Sequence, residues 1–157
     1  MTPAVKAAQR AKINYTLHEY DHDPNVGAYG LEAAEALGIS HDQIFKTLVV
    51  SLSGAKEPLA VGIVPVSTQL DLKSFAVAAH AKKAVMADAK DAKRATGYVL
   101  GGISPLGQRR RLPTLMDESA LKHRTIYVSA GKRGLQIELA PGDLIRLCAA
   151  VTARIGR

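Results

Sequence analysis

Apolar and polar positions change period several times along the chain, and each change marks an element. Thr2-Pro3 opens an Ala/Lys/Gln/Arg-rich segment to Lys12 that reads as a helix, with a capping hydroxyl ahead of a proline in the first turn. Asn14 to Tyr20 then alternates with period two, which predicts a short strand carrying His18 and Tyr20 on one face. Asp21-His-Asp-Pro-Asn25 is turn-forming, and Leu31 to Leu37 followed by Gly38 predicts a short helix. Ile44 to Leu52 and Leu59 to Val66, split by Ser-Gly-Ala-Lys-Glu-Pro, predict a hairpin. Leu70 to Ala79 and Asp88 to Ala95 are helical in pattern, the second stopping at Thr96-Gly97, and Tyr98 to Ser104 reads as a strand entering the Pro105-Leu-Gly107 turn. Leu112 to Met116, Thr125 to Ser129 and Leu135 to Leu139 are further strand segments. Pro141-Gly-Asp then introduces a terminal helix holding Leu144, Ile145, Leu147 and Val151.

About seven strand segments interleave irregularly with helices, several across short turns. The expected class is α/β with a mixed sheet rather than a regular parallel array. No repeat, low-complexity tract or linker interrupts the pattern, so residues 1–157 are expected to form a single domain. A hydrophobic content of 47% supplies an ordinary core without metals or disulfides, and the single cysteine, Cys148, fits a reducing compartment. The N-terminus lacks the apolar run of a signal peptide and no stretch is long and apolar enough to span a bilayer, so a cytoplasmic location and no membrane association are expected. The net charge of +7 is unevenly spread: residues 1–79 sum to −2 and residues 80–157 to +9. Such a basic half either attracts a polyanion or is a solvated face. With aromatics at 4% and no Trp, phosphate or shape recognition is favoured over base stacking.

Lys46 is the most informative residue. Strand alternation puts it on the face of Ile44, Leu48 and Val50, where a lysine must either meet an anion or snorkel to solvent. Gly101-Gly-Ile-Ser-Pro-Leu-Gly107 permits close backbone approach to a ligand, or a tight reversal; Ser129-Ala-Gly-Lys-Arg-Gly134 suits an anion site, or a basic hairpin turn. His18 and His22 are four apart but not on a helix, so no metal site is expected. Cys148 lies in an apolar helical stretch as a buried hydrophobe rather than a nucleophile. Gly-x-Ser-x-Gly, P-loop and Gly-x-Gly-x-x-Gly patterns are absent. Arg109-Arg-Arg111 is a solvated patch or an RNA phosphate contact.

The ordered set of Tyr20-Asp-His-Asp-Pro24, Phe45-Lys-Thr-Leu48, Met86-Ala-Asp88, Thr96-Gly-Tyr98, Gly101-Gly-Ile-Ser-Pro-Leu-Gly107, Ile126-Tyr-Val-Ser129 and Gly131-Lys-Arg-Gly-Leu135 resembles the YbaK/EbsC family of aminoacyl-tRNA deacylases over essentially the whole chain. The resemblance implies a mixed, partly barrel-like sheet of about six or seven strands surrounded by helices. It implies trans-editing of mischarged Cys-tRNA(Pro), with tRNA as partner, prolyl-tRNA synthetase as a candidate partner, and neither metal nor cofactor. The substrate's own thiol would attack the ester, leaving the protein to orient and stabilise. By the same resemblance Lys46 and Tyr20 are the catalytic candidates, and Tyr29, Thr47, Gly101, Gly102, Ile103, Ser104, Ser129, Gly131 and Gln136 the substrate contacts. Three positions depart from the family pattern: Gln136 where an acid is expected, Ala130 for glycine and Leu31 for Asp. A neutral Gln136 accepts a hydrogen bond without charge. Competing readings are a deacylase of Ala-tRNA(Pro) or another small aminoacyl-tRNA, and a non-catalytic module binding tRNA or a synthetase.

Overall fold

The structure, a computed structural model, describes residues 1–25 and 27–157. Helix α1 (Pro3–Ala11) is capped by Thr2, whose hydroxyl accepts from the Val5 N–H at 3.2 Å, and it buries Ala4, Val5 and Ala8. Strand β1 (Tyr15–Glu19) and helix α2 (Tyr29–Leu37) follow, then the hairpin of β2 (Phe45–Ser53) and β3 (Leu59–Pro65). Next come α3 (Leu72–Ala78), β4 (Lys83–Met86), α4 (Ala89–Thr96) and β5 (Thr114–Asp117). The chain ends with β6 (Ile126–Lys132), β7 (Leu135–Leu139), α5 (Pro141–Cys148) and β8 (Val151–Ala153).

The strands form two sheets instead of one. Three antiparallel strands take the order β1-β7-β6, and five take the order β4-β2-β3-β5-β8, antiparallel through β3 and parallel beyond it. Phe45, Val49, Val61 and Ile63 of the larger sheet share a core with Ile126, Val128, Ile137 and Leu139 of the smaller, closed by Leu144 of α5. Val50, Val64, Leu115 and Ile155 pack with Phe75 of α3 on the other face. Because β2 serves both cores, its apolar run is nearly continuous.

The sheets meet at one parallel bridge, Ile44 with Tyr127, beside which the Tyr127 N–H donates to the Gln43 carbonyl at 3.1 Å. From there β2 and β6 diverge. β4 pairs with β2 only along Val50 to Ser53, so between the bridge and that ladder one edge of β2 faces a cleft. The arrangement is a mixed fold with an open seam, and no closed barrel forms among the described residues.

Two predicted elements differ. Tyr98 to Ser104 is irregular rather than extended: the Tyr98 ring is buried, its hydroxyl donates to the Leu106 carbonyl at 2.6 Å, and the Gly102 N–H turns back to the Val99 carbonyl at 2.9 Å. Val151 starts β8 instead of ending a helix, because Ala149 takes a left-handed φ of 51° and closes α5. The short β4, of which the alternation gave no sign, has only Ala84 buried.

Candidate active site in the seam between the sheets

Where β2 and β6 part, a cavity of about 290 Å³ opens. Its floor is Ile44 to Leu48 at the start of β2, with Val66; Ser129 and Gln136 contribute from β6 and β7. The first turn of α2, around Tyr29 to Leu31, forms one wall, and Leu100, Gly101 and Ile103 of the irregular segment form another. No side chain caps the start of α2; the acid in its first turn, Glu32, is bonded to His22 and to the Asp23 N–H.

Lys46 is the one charged side chain among the described lining residues. It makes no ion pair among the described residues, and burial alone pulls its ammonium pKa below the ordinary 10.5. Among the described residues two buried side-chain polar atoms lack a hydrogen-bond partner, Thr47 Oγ1 and Gln136 Oε1, and both residues line this cavity. A buried unpaired acceptor costs about 1–3 kcal/mol unless a donor meets it. Ser129 Oγ accepts from the Gly131 N–H at 3.2 Å and has no histidine or carboxylate beside it in the lining, so the pattern of an activated serine is missing among the described residues.

The roof is built around Tyr29. Gly101, at φ +87°, lies so close that a Cβ there would sit 2.6 Å from the Tyr29 ring. Across the ring the Arg133 guanidinium stacks at 4.6 Å from the centroid, while its Nε and Nη2 both donate to the Leu100 carbonyl, at 3.0 and 2.7 Å. Gly102 lets the same segment press on the β6–β7 turn, since a Cβ would come within 2.9 Å of Lys132 Cα. Arg133 therefore ties together the roof, the irregular segment and the turn. The sequence flagged it only as part of a basic glycine turn.

Of the predicted site residues, Lys46, Thr47, Tyr29, Gly101, Ile103, Ser129 and Gln136 come together around the cavity. Tyr20 does not line it. Its ring packs against the cluster of Ala33, Ile44, Val66 and Tyr127, directly behind two lining residues. Burial raises its pKa, opposed by hydrogen bonding from Gly134 and Gln136. Gly102, Ser104 and Gly131 support the cavity from outside: Ser104 is fully buried with its hydroxyl accepting from the Leu106 N–H, and Gly131 abuts Tyr98 and Thr2. Sequence reasoning missed Ile44, Val66 and Leu100, whose apolar character gave no signal beyond core or turn. The two histidines lie apart, each with its own carboxylate, His18 with Glu138 at 2.9 Å and His22 with Glu32 at 2.7 Å. Cys148 is buried, its thiol pKa pushed up to about 12 by burial.

Comparison with known proteins agrees with this architecture. Residues 24–147 match the aminoacyl-tRNA editing domain. EbsC of Enterococcus faecalis, provisionally assigned as a Cys-tRNA(Pro)/Cys-tRNA(Cys) deacylase, is 40% identical over 147 residues, covering 93% of this chain and 87% of its own. A hypothetical protein of known structure superposes with a TM-score of 0.85 at 22% identity, covering 99% of both chains. A protein provisionally assigned as a trans-editing enzyme for prolyl tRNA synthetase superposes with a TM-score of 0.82 at 22% identity, covering 100% of this chain and 99% of its own. Those two structures establish the fold. The chain belongs to the aminoacyl-tRNA editing domain family. Its activity class is that of the aminoacyl-tRNA deacylases.

Proposed function

We propose that this protein is a trans-editing enzyme that removes cysteine from mischarged tRNA(Pro), the cysteine thiol itself cleaving the ester. The observation that carries this reading is the chemistry of the cavity lining: one cation, two unpaired buried acceptor atoms, and no nucleophile–base pair among the described residues. A pocket so built holds and polarises a substrate without supplying the attacking atom. The name of the EbsC relative supports cysteine as the amino acid, and a volume of about 290 Å³ suits a small aminoacyl group.

In this mechanism the substrate sulfur bonds to the ester carbonyl carbon, the bond to the ribose oxygen breaks, and the thiol proton passes to that oxygen. The products are free tRNA and a cyclic thiolactone. Lys46 faces the negative charge that develops on the carbonyl oxygen. Thr47 and Gln136 receive donors of the aminoacyl group, and the neutral Gln136 does so without drawing Lys46 into an ion pair. Tyr20 braces the cavity wall from behind, beside Gln136. Tyr29 and Gly101 close over the amino acid, Ser129 and Ile103 border it, and Gly102, Ser104 and Gly131 hold the surrounding backbone. Prolyl-tRNA synthetase is the partner from which such a substrate would come.

The test is a deacylation panel on Cys-, Ala- and Ser-tRNA(Pro). Cys-tRNA(Pro) should be cleaved, Ser-tRNA(Pro) spared because a hydroxyl is the poorer nucleophile, and Lys46→Ala should lose about 100-fold in kcat. The rate should rise as the substrate thiol ionises near pH ~8.5. It should then fall below pH 10.5 as Lys46 loses its proton, a descending limb that Lys46→Arg abolishes. Cleavage of Ala-tRNA(Pro) with Cys-tRNA(Pro) left intact would move the assignment to alanine. Survival of all three esters would leave a binding module.

A further inference from the structure

Six cations gather on one surface next to the cavity mouth. Helix α4 carries Lys90, Lys93 and Arg94, spaced so that they share a face, and all three are exposed. Arg109, Arg110 and Arg111, also exposed, are laid against the end of that helix by two backbone hydrogen bonds. The Arg109 N–H donates to the Thr96 carbonyl at 2.9 Å and the Arg110 N–H to the Ala95 carbonyl at 3.0 Å. The Arg109 side chain crosses Gly97, its Nε lying 3.7 Å from where a Cβ would stand. Residues 89–111 contain a single acid, Asp91, and none of the six cations forms an ion pair among the described residues. Beside Arg110 and Arg111 the surface sinks into a recess of about 210 Å³ between α1 and α5.

Unpaired like charges held this close repel one another, which weakens the fold unless an anion meets them. The location says which anion. Gly97 is four residues from Gly101, a span of at most about 14 Å even fully extended, and Leu100 and Gly101 line the cavity. We propose that this surface, from Lys90 on α4 to Arg111, is the docking site for the phosphodiester backbone of the tRNA acceptor end whose aminoacyl terminus occupies the cavity. The proposal rests on the deacylase reading above for the contents of the cavity, but not for the binding of RNA to this face. A polymer with its 3′ end in the seam passes over exposed Val99 and Leu100 and brings its next phosphates onto Arg109.

Two triple variants test it, Arg109→Gln/Arg110→Gln/Arg111→Gln and Lys90→Gln/Lys93→Gln/Arg94→Gln. Binding of uncharged tRNA is measured as a function of salt, and cleavage is measured on Cys-tRNA(Pro) and on the cysteinyl ester of adenosine. Each triple should weaken tRNA binding about tenfold at 0.1 M salt and lower the slope of log affinity against log salt by about 2–3, at ~0.7–0.9 per phosphate contact. KM for Cys-tRNA(Pro) should rise by a similar factor, with kcat and cleavage of the adenosine ester unchanged. If the parent protein binds tRNA and both triples bind it equally well, or if the parent does not bind tRNA at all, the docking surface is wrong. If the triples lose binding while no ester is cleaved by any form, the surface stands and the deacylase reading falls. An arginine triple that also loses the adenosine ester reports a disturbed site, and the α4 triple, none of whose residues lines the cavity, then decides.

Discussion

Two residues of the cavity lining are costly to the stability of the free protein. Thr47 is 9% exposed and Gln136 7%, and each keeps a polar atom buried with no partner. An unmet acceptor of this kind lowers the stability of the free protein, and a bound group that donates to it recovers the loss on binding. Thr47→Val removes the hydroxyl at nearly constant volume. It should leave the protein as stable as the parent or more so, by up to about 1 kcal/mol in urea unfolding. KM for the aminoacyl-tRNA should rise about threefold to tenfold in the same variant. Lower stability with unchanged kinetics would mean that the hydroxyl is structural. Lys46 belongs to the same logic, being an ammonium half-withdrawn from water with no counter-charge paired to it among the described residues. The strand period exposed Lys46 as an anomaly in the sequence. The orphan atoms were not legible there, because alternation reports a side chain's face and not whether its oxygen finds a donor.

Among elements, the roof depends on a single guanidinium. Arg133 stacks on Tyr29 at the head of α2 and grips the Leu100 carbonyl with two donors, so three pieces of chain distant in sequence hold one position. Lysine cannot reproduce the fork or the stack while keeping the charge. Arg133→Lys should therefore reduce kcat/KM about tenfold with tRNA affinity preserved, and amide exchange at residues 99–102 should accelerate. Equal activity in the lysine variant would show that charge alone matters. The strands around this site were readable in advance: the hairpin of β2 and β3, and β7 from Leu135 to Leu139, have the boundaries or near-boundaries that alternation gives. The Tyr98 to Ser104 segment was not. Its apolar residues satisfy the strand pattern, yet Tyr98 is anchored by the Leu106 carbonyl and Gly102 by Lys132, contacts that depend on the tertiary fold. The separation into two sheets was equally hidden, since it depends on a bridge between Ile44 and Tyr127, more than eighty positions apart.

For the molecule as a whole, the C-terminal tail is secured by backbone hydrogen bonds to Gln69 and Asp71 and by one buried carboxylate. Asp117, at the end of β5, accepts from the Ile155 and Gly156 N–H groups at 3.0 and 2.8 Å and from Ser119. Burial pushes its pKa up, but the hydrogen bonds from Ser119, Gly156 and Ile155 outweigh burial and hold it below the ordinary 3.8. A pKa depressed by folding contributes stability that is present above the unfolded value and lost as pH falls through the folded one. Asp117→Asn should cost about 2 kcal/mol at pH 7 and markedly less at pH 3, as read from urea unfolding at the two pH values; an equal cost at both would contradict the assignment. The basic bias of residues 80–157 finds its place at this scale as well, since α4 and Arg109 to Arg111 lie side by side. The single bridge between Ile44 and Tyr127 has one more effect. It works like the pivot of a pair of tongs, with the blades β2 and β6 and the aperture between them set by the wedge of core side chains behind. Bulkier or leaner residues at Val128 or Ile63 would change that aperture while every side chain that lines the cavity stays the same.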